Sequence, residues 1–433
     1  MAELKPMTVL YPVMPAKDEA ERAALRPIGR NRDLYHSAIH GATEIVQAAD
    51  EMGIWGCGTI EHHFWSEGYE VAPSPGPVQA YWAALTKRIN IGVLGYVLAT
   101  HNPIRVAEET AVINHLARGR SFVGLARGYQ SRWTNVLGQH YGTKATKSPS
   151  AAIYNPATQG AGYSTATTVA NDTNDDAMNR EIFEDHVEIM LKAWTQDSID
   201  HNSKRWQVPY PYDTGVTDWP LARAGVTQKF GGIGEVDENG NTRRVVVAPS
   251  PYTRPHPQVF LAGSGSPETI SFAGKHGFVP TYFTNIQSAG PLADVYRKAA
   301  AAAGRSFGPG QNQCMVRWIE IGKTREDALQ RIKDYDLDIW KNFYAAMGRR
   351  KVENDDYLNS LVNSGLFLFG TVDEVRAELV KQWQVFPAEY ITLINHYAQT
   401  PAGIVIETLD VFQRHIKPAL DEVIFNANRA AAE

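Results

Sequence analysis

The chain has 433 residues, of which 43% are hydrophobic, a formal net charge of −5 and two cysteines. The hydrophobic fraction is enough for a substantial core, and nucleic acid is not an expected partner because the sequence holds no basic block. No run of about 18 apolar residues predicts a membrane span, and the first residues lack the pattern of a secretory signal. Cys57 and Cys314 are too few for a disulfide framework, so we expect a cytoplasmic protein with buried thiols.

Short apolar runs recur along the chain and predict eight β-strands. In chain order these runs cover residues 7–13, part of 53–64, 89–98, 120–128, 257–265, 276–283, 313–322 and 389–397. The third run, INIGVLGYVL, is almost continuously apolar. Such a run is typical of a parallel strand that is buried on both faces of its sheet.

Segments with helical periodicity separate the predicted strands. Residues 105–120 place Val106, Ile113, Leu116 and Ala117 on one helical face, which predicts that this face packs on the sheet. The segment ends with a basic residue and a glycine, a typical helix C-terminus. A helix that begins near residue 371 opens with a capping box.

Eight strands joined by helices favour an α/β fold, a (β/α)8 TIM barrel formed by residues 1–433 as a single domain. A doubly wound sheet is the alternative. It is disfavoured because no GxGxxG follows the first predicted strand.

Two long segments interrupt the barrel pattern. Residues 138–176 are rich in Ala, Thr, Ser, Gly and Asn, and loops of this length are uncommon unless they are lids, binding loops or disordered. We interpret this segment as an insertion and a candidate lid. Residues 202–253 form a second, irregular insertion, in which the turn sequence Asn239-Gly240-Asn241 predicts a possible hairpin.

The motif EHH follows the second predicted strand, at the end where the chemistry of barrel enzymes collects. Neighbouring side chains on a strand point to opposite faces, so His62 and His63 are expected to face different surroundings. The spacings HxH and HExxH are missing, which disfavours a metal site and a metal-dependent hydrolase. The remaining interpretations are a hydrogen-bonded structural histidine and a neutral imidazole that contacts a cofactor.

Two further motifs together indicate a bound phosphate. Arg127 ends the fourth predicted strand, where a guanidinium suits a phosphate or a carboxylate, although a surface salt bridge would also explain it. In AGSGSPET, Ser266 is a plausible helix N-cap, and Gly263 and Gly265 let backbone amides approach a ligand. A helix N-terminus of this kind binds anions, so the pair of motifs predicts a phosphate-bearing cofactor.

Residues 101–130, HNPIRVAEETAVINHLARGRSFVGLARGYQ, resemble the signature of the bacterial luciferase-like flavin-dependent monooxygenases. EHHF, AGSGSPET and FGTVDEV also occur in that family's order, so the resemblance covers most of the chain outside the two irregular segments. It implies a TIM barrel in which reduced FMN, supplied by a flavin reductase, reacts with O2. The resulting C4a-peroxyflavin oxygenates a small organic substrate, and the protein is expected to be a homodimer.

The resemblance also implies roles for individual residues. His62 is the implied catalytic residue, with His63 supporting it. The implied cofactor-binding residues come from the third strand, from ARGYQ and from the loop after the fifth strand. They are Leu94, Gly95, Ala126, Arg127, Tyr129, Gly263, Ser264, Gly265 and Ser266.

The third strand carries a more specific expectation. The resemblance implies a non-prolyl cis peptide at Leu94–Gly95, lying against the flavin ring. Glycine has no Cβ and lets the backbone approach a planar ring closely. We therefore expect a β-branched residue at position 95 to block flavin more than it destabilises the fold.

Two other functions stay open at this point. Relatives in the same superfamily use the deazaflavin F420 to transfer hydride and do not activate oxygen. A non-catalytic flavin-binding subunit would keep the phosphate loop but could lose His62, and the retained EHH argues against it.

Overall fold

The strands of the computed structural model form one barrel with two small additions. The structure describes residues 3–145, 173–263, 265–347 and 352–432. Its strands are β1 (Lys5–Leu10), β2 (Gly56–Thr59), β3 (Asn90–Val97), β4 (Ser121–Ala126), β5 (His201–Asn202), β6 (Gln207–Val208), β7 (Gln258–Leu261), β8 (Val279–Tyr282), β9 (Cys314–Ile321), β10 (Phe367–Gly370) and β11 (Tyr390–Asn395).

Eight of these strands close into a parallel ring. The hydrogen-bonded order is β1, β2, β3, β4, β7, β8, β9 and β11, and β11 pairs with β1 to complete the ring. Each of the eight predicted strands overlaps one strand of the ring, so the TIM barrel is confirmed. Strand β10 was not predicted, and it pairs outside the ring with the last four residues of β9.

Helices surround the barrel. They are α1 (Glu19–Ala24), α2 (Arg32–Met52), α3 (Pro75–Leu85), α4 (Pro103–Leu116), α5 (Ser131–Leu137), α6 (Thr173–Thr195), α7 (Pro220–Arg223), α8 (Val226–Phe230), α9 (Pro267–His276), α10 (Ile286–Ala302), α11 (Arg325–Tyr335), α12 (Leu337–Ile339), α13 (Tyr357–Val362), α14 (Val372–Val385), α15 (Ala402–Val411) and α16 (Lys417–Ala432). Two π-helical turns, Trp340–Ala345 and Phe412–Ile416, follow α12 and α15. Among the helices described, none is both long and apolar enough to cross a bilayer.

Local sequence explains where these helices begin and end. The side chain of Asn31 accepts from the backbone N–H groups of Asp33 and Leu34 at the start of α2, each at 3.1 Å. Gly53 ends that helix in a left-handed conformation, with φ of 74°. The predicted capping box of α14 is present, with Thr371 and Glu374 bonding each other's backbone N–H.

Residues alternate between the two faces of the ring. Met7 and Val9 on β1 pack inside the barrel with Phe122 and Phe260, while Leu10 packs with the helical layer.

One predicted core position on helix α4 is wrong. Val106, Ile113 and Ala117 are buried as expected, but Leu116 is 55% exposed at the end of α4.

The two irregular segments are described to different extents. Of the candidate lid, residues 146–172 lie outside the described residues. Residues 202–253 contain the β6 strand of the short antiparallel β5–β6 pair and a turn in which Val236 bridges Thr242. They pack on the helical layer, where Ser250 O accepts from His115 Nε2 at 2.9 Å. The insertion 202–253 therefore contacts the outer wall of the barrel at α4.

Candidate active site

The predicted site residues collect at the carboxyl ends of four neighbouring strands. His62 follows β2, Leu94 and Gly95 lie in β3, and Ala126 and Arg127 end β4. The predicted phosphate loop follows β7, which pairs with β4. Strands β2, β3, β4 and β7 are consecutive in the ring, so these residues share one side of the barrel mouth. Ser264 lies outside the described residues.

His62 is paired with a buried carboxylate. Its Nδ1 lies 2.5 Å from Oε2 of Glu70, and the Glu70 side chain is 1% exposed. The intervening loop folds back so that His62 N donates to Ala72 O at 2.9 Å. Glu70 has a φ of 51°, a conformation that is uncommon for residues other than glycine. Because a carboxylate can only accept, this contact favours a proton on Nδ1 of His62.

Gln130 holds the other side of the His62 ring. Its Oε1 accepts from the indole N–H groups of Trp65 at 3.0 Å and Trp133 at 2.6 Å. An indole can only donate, so the amide NH2 group must point the opposite way. It donates to the hydroxyl of Tyr129 at 3.0 Å and lies 3.4 Å from both ring nitrogens of His62. The sequence analysis did not select Gln130, although it is the last residue of the ARGYQ motif.

His63 contacts a different carboxylate from His62. Its Nε2 lies 3.0 Å from Glu61 Oε1, and His101 Nε2 lies 2.6 Å from the same oxygen. Glu61 Oε2 accepts from Val97 N at 2.7 Å. Burial raises the pKa of Glu61, but His101 and His63 outweigh it and bring that pKa to about 2. The Glu61 carboxylate therefore ties the end of β2 to the end of β3.

The side chain of Arg127 is largely buried rather than exposed. It is 10% exposed, and its guanidinium donates to Asp176 Oδ1 at 3.2 Å. Burial lowers the pKa of Arg127 to about 10, with Arg180 contributing. Asn179 on α6 also holds the backbone, since its Nδ2 donates to Arg127 O at 3.0 Å. A simple surface salt bridge does not explain this arginine, and its pairing with Asp176 was not predicted.

The loop after β7 leads into a helix N-terminus. Ser266 caps α9, and its Oγ accepts from Thr269 N at 3.4 Å. Gly263 has a φ of 70°, and a Cβ built there would meet no atom within 4 Å among the described residues. Leu125 pairs with Leu261, so the loop lies directly beside the end of β4 that carries Arg127.

The Leu94–Gly95 peptide is cis, as the resemblance implies. The expectation for Gly95 itself is wrong. A Cβ at position 95 would lie 2.3 Å from the carbonyl carbon of Gly124 on β4, far inside van der Waals contact. Glycine is thus required here by the close approach of β3 to β4, and a larger residue would disrupt the barrel before it affected a ligand.

A second group of polar side chains lies farther round the rim. His396 follows β11, and its Nδ1 lies 2.6 Å from Asp336 Oδ1. The hydroxyl of Tyr344 lies 3.0 Å from His396 Nε2 and donates to Glu70 Oε1 at 3.2 Å. The sequence analysis did not select these residues. For His396 a signal was available, since it is a histidine at the end of the eighth predicted strand.

The described residues include no group of three or more His, Cys, Asp and Glu side chains placed to hold a metal ion. Both cysteines are buried and unpaired.

The fold and these side chains define a TIM barrel with a candidate site at its carboxyl mouth. The chain belongs to the luciferase-like monooxygenase family, whose model matches residues 23–382.

Curated relatives match parts of the chain. The alkanal monooxygenase beta chain of Photorhabdus luminescens is 34% identical over 93 residues, which is 22% of this chain and 28% of the relative. Limonene 1,2-monooxygenase of Rhodococcus erythropolis is 34% identical over 116 residues, 27% of this chain and 30% of the relative. The matched stretches thus span less than a third of the length of these relatives.

Solved structures share the whole fold. A monooxygenase from Streptomyces bottropensis has a TM-score of 0.67 at 17% identity and covers 95% of this chain and 99% of its own. The oxygenating constituent of 3,6-diketocamphane monooxygenase of Pseudomonas putida, in complex with FMN, has a TM-score of 0.64 at 16% identity. The match covers 96% of this chain and 98% of that protein's chain. An F420-dependent secondary alcohol dehydrogenase has a TM-score of 0.59 at 12% identity. The match covers 96% of this chain and 99% of that protein's chain.

Proposed function

We propose that this protein is a flavin-dependent monooxygenase that uses reduced FMN and O2 to oxygenate a small organic substrate. The observation that carries the proposal is the grouping of a buried arginine, a helix N-terminus and a histidine–carboxylate pair on four neighbouring strand ends. The family, with its monooxygenase relatives, supports the same reading. Reduced FMN, when bound, supplies the oxygen-activating chemistry.

The donor groups fit the phosphate of FMN. Arg127 offers guanidinium N–H groups, and the first turn of α9 offers backbone N–H groups beside it. A Cβ at Gly263 would meet no described atom within 4 Å, so the space beside its Cα is open to a ligand. Asp176 already accepts from Arg127, so a phosphate would share or replace that carboxylate. Ser264 and Gly265 complete the proposed loop.

The groups on β2 and after β4 fit the ring end of the cofactor. Glu70 holds Nδ1 of His62, so Nε2 can accept or give a proton at the reacting end of the site. The Trp65, Trp133 and Tyr129 rings close round Gln130 and help to exclude water. Leu94 and Ala126 are proposed to contact the ring.

The partners follow from the proposed chemistry. We propose that reduced FMN comes from a separate flavin reductase, as the family resemblance implies. We also propose a cytoplasmic homodimer, and the segment 138–176 as the lid.

F420-dependent hydride transfer is the second candidate function. It is favoured by one observation, the fold shared with the F420-dependent alcohol dehydrogenase. The two candidates differ in whether the bound cofactor reacts with O2.

Parallel anaerobic titrations of the protein with reduced FMN and with reduced F420 separate these functions. We expect reduced FMN to bind more tightly. On mixing with O2, the FMN-loaded protein should show an absorbance phase that free reduced FMN lacks. Tighter binding of F420, with no absorbance phase beyond that of free reduced FMN, would reject the monooxygenase in favour of hydride transfer.

A further inference from the structure

Two buried carboxylates interact near the carboxyl end of β9. Glu320 is the last residue but one of β9 and is 9% exposed, and Asp336, between α11 and α12, is 2% exposed. Oε2 of Glu320 and Oδ2 of Asp336 are both shielded from water, and neither accepts a hydrogen bond from a described residue. A buried carboxylate oxygen that lacks a donor costs free energy, and a proton is the smallest group that can satisfy it.

One proton can satisfy both of these oxygens. The other oxygen of Asp336 already has a neighbour, since Oδ1 lies 2.6 Å from Nδ1 of His396. A carboxylate can only accept, so this contact favours a proton on Nδ1 and gives Asp336 a donor. The proton of the pair then belongs on Glu320, which in its neutral form is a donor for Oδ2 of Asp336.

The surroundings of the pair also favour the protonated form. Burial raises the pKa of Glu320 well above its ordinary value, and Asp336 adds to the effect. Burial likewise raises the pKa of Asp336 well above its ordinary value. Arg331 on α11 opposes the shift at Glu320, although its guanidinium forms an ion pair with Glu407 at 3.1 Å. Two like charges shielded from water disfavour each other, so the second ionisation of the pair is the harder one.

Asp336 lies at the start of a segment that reaches the candidate site. Its carbonyl accepts from the first residue of the π-helical turn Trp340–Ala345 at 2.9 Å. Phe343 in that turn packs edge-on against Trp65, with 4.7 Å between the ring centroids. Trp65 in turn donates to the amide that lies beside His62. A movement of Asp336 would therefore be transmitted to this side of the mouth.

We propose that Glu320 and Asp336 share one buried proton, and that loss of this proton to solvent loosens residues 336–345 and with them this side of the mouth. Two adjacent carboxylates would then carry negative charge without water, and the segment after β9 relieves the repulsion by moving Asp336 towards solvent. The pair is thus an alkaline-sensitive switch. It rests on the proposed function only in the site that it affects.

The switch implies a definite direction of pH dependence. The folded pKa values of Glu320 and Asp336 both lie above the ordinary 4.5 and 3.8. The stability that protonation provides is fully present below those ordinary values and is lost as the pH rises through the folded pKa, because the unfolded chain releases protons that the folded protein retains. The other titratable or charged groups that face the pair are Arg331 and Tyr335 on α11 and His396 after β11.

Urea denaturation of the whole chain from about pH 5 to about pH 9 tests the shared proton. Glu320→Gln puts a neutral donor in place of the protonated carboxyl group. As the pH rises, the stability of this variant relative to wild type should increase, by up to about tenfold in the unfolding equilibrium constant per pH unit. Asp336→Asn removes the other carboxylate and should show the same trend.

A neighbouring acid provides the matched control. Asp334 also lies on α11, is exposed and accepts from Gln330 Nε2 at 2.8 Å. Asp334→Asn makes the same change of charge outside the buried pair. The pH dependence of its stability should run parallel to that of wild type.

Hydrogen exchange locates the effect. At the alkaline end of the range, the backbone amides of residues 336–345 should exchange faster in wild type than in Glu320→Gln at the same pH, while those of α2 should not differ. Equal exchange of residues 336–345 in the two proteins would overturn the switch.

The pH dependence decides on the proton itself. Stability curves of both carboxylate variants that run parallel to wild type would overturn the shared proton, since the pair would then be ionised and bridged by water. If Glu320→Gln does not fold, the trend in Asp336→Asn decides. Neither measurement uses a flavin, so failure of this inference is distinct from failure of the proposed monooxygenase.

Discussion

Arg127 is a positive charge held where little water can solvate it, and its counter-ion is Asp176. Replacing it by alanine should weaken FMN binding by about 1.5–3 kcal/mol, the range for a hydrogen bond to a charged group. Riboflavin, which lacks the phosphate, should bind almost as before. Isothermal titration with both ligands measures the difference, and Arg105→Ala, at an exposed position on α4, is the control.

The converse change strengthens the same experiment. Asp176→Asn frees the guanidinium of Arg127 from its carboxylate partner and should tighten FMN relative to riboflavin. If Arg127→Ala lost equal affinity for FMN and for riboflavin, Arg127 would not be the group that binds the phosphate.

His62 and His63 contact different carboxylates, so replacing each of them by alanine should have a different effect. His62→Ala should keep reduced FMN binding but release hydrogen peroxide in place of product, because the proton position at Nε2 is lost. His63→Ala removes one of the two imidazoles at buried Glu61 and should mainly lower the melting temperature. Product yield per FMN oxidised, measured with a peroxide assay, separates the two. A His62→Ala protein with wild-type yield would show that the role is misassigned.

At the scale of elements, the contact between β3 and β4 depends on two glycines. A Cβ at Gly95 would lie 2.3 Å from the Gly124 carbonyl carbon, and backbone cannot move aside as a side chain can. Gly95→Ala should therefore destabilise the protein by roughly 1–3 kcal/mol or more, the cost of overpacking. Urea denaturation measures it. Gly41→Ala, in the open middle of α2, should be neutral or stabilising. Equal stability of Gly95→Ala and wild type would contradict the steric argument.

The stability that Glu61 contributes at the junction of β2 with β3 should depend on pH. Its folded pKa of about 2 lies below the ordinary 4.5, so its contribution to stability is present above about pH 4.5 and is lost as the pH falls towards 2. The pKa of His101 is raised by Glu61 against the effect of burial, so its contribution is present below pH 6.5 and declines as the pH rises. The pair is thus strongest between those two values.

Glu61→Gln tests this linkage. At pH 5 the variant should be less stable by about 3 kcal/mol, the equivalent of the pKa shift. The difference from wild type should shrink as the pH is lowered towards 3. Urea denaturation at several pH values measures it, and a difference that does not change with pH would reject the linkage.

At the scale of the whole molecule, the barrel was predictable because strand burial leaves a strong local signal. INIGVLGYVL and its seven counterparts each overlap a strand of the ring, since central parallel strands are apolar on both faces. Strand β10 was missed because it is four residues long and pairs outside the ring. Leu116 fits the helical stripe of α4 and yet is exposed, because periodicity identifies a face of a helix but not what covers each position on it.

The candidate site was predictable only in part. His62, Arg127 and the predicted phosphate loop lie at strand ends, which sequence order can locate. Their partners, Glu70 and Asp176, come from loops and helices whose path the sequence does not specify. Tyr344 is more distant still, since a π-helical turn between β9 and β10 brings it to the carboxylate next to His62.

The expected homodimer would account for the exposed Leu116. Helices α3 and α4 pack side by side, and four large apolar side chains on them are 39–55% exposed. These are Tyr81, Leu85, Val112 and Leu116. A second copy of the chain that covers this face would remove apolar surface from water, the main driving force for stable association.

Sedimentation equilibrium tests this association. The wild-type protein should have a mass twice the 48.0 kDa of one chain. Leu116→Glu would place a charge in the interface and should shift the protein to monomer, because burying an unpaired charge is costly. Val385→Glu makes the same change on α14, at a side chain that is 65% exposed, and should leave the dimer intact. A monomeric wild type, or dissociation by Val385→Glu alone, would exclude the α3–α4 face as the interface.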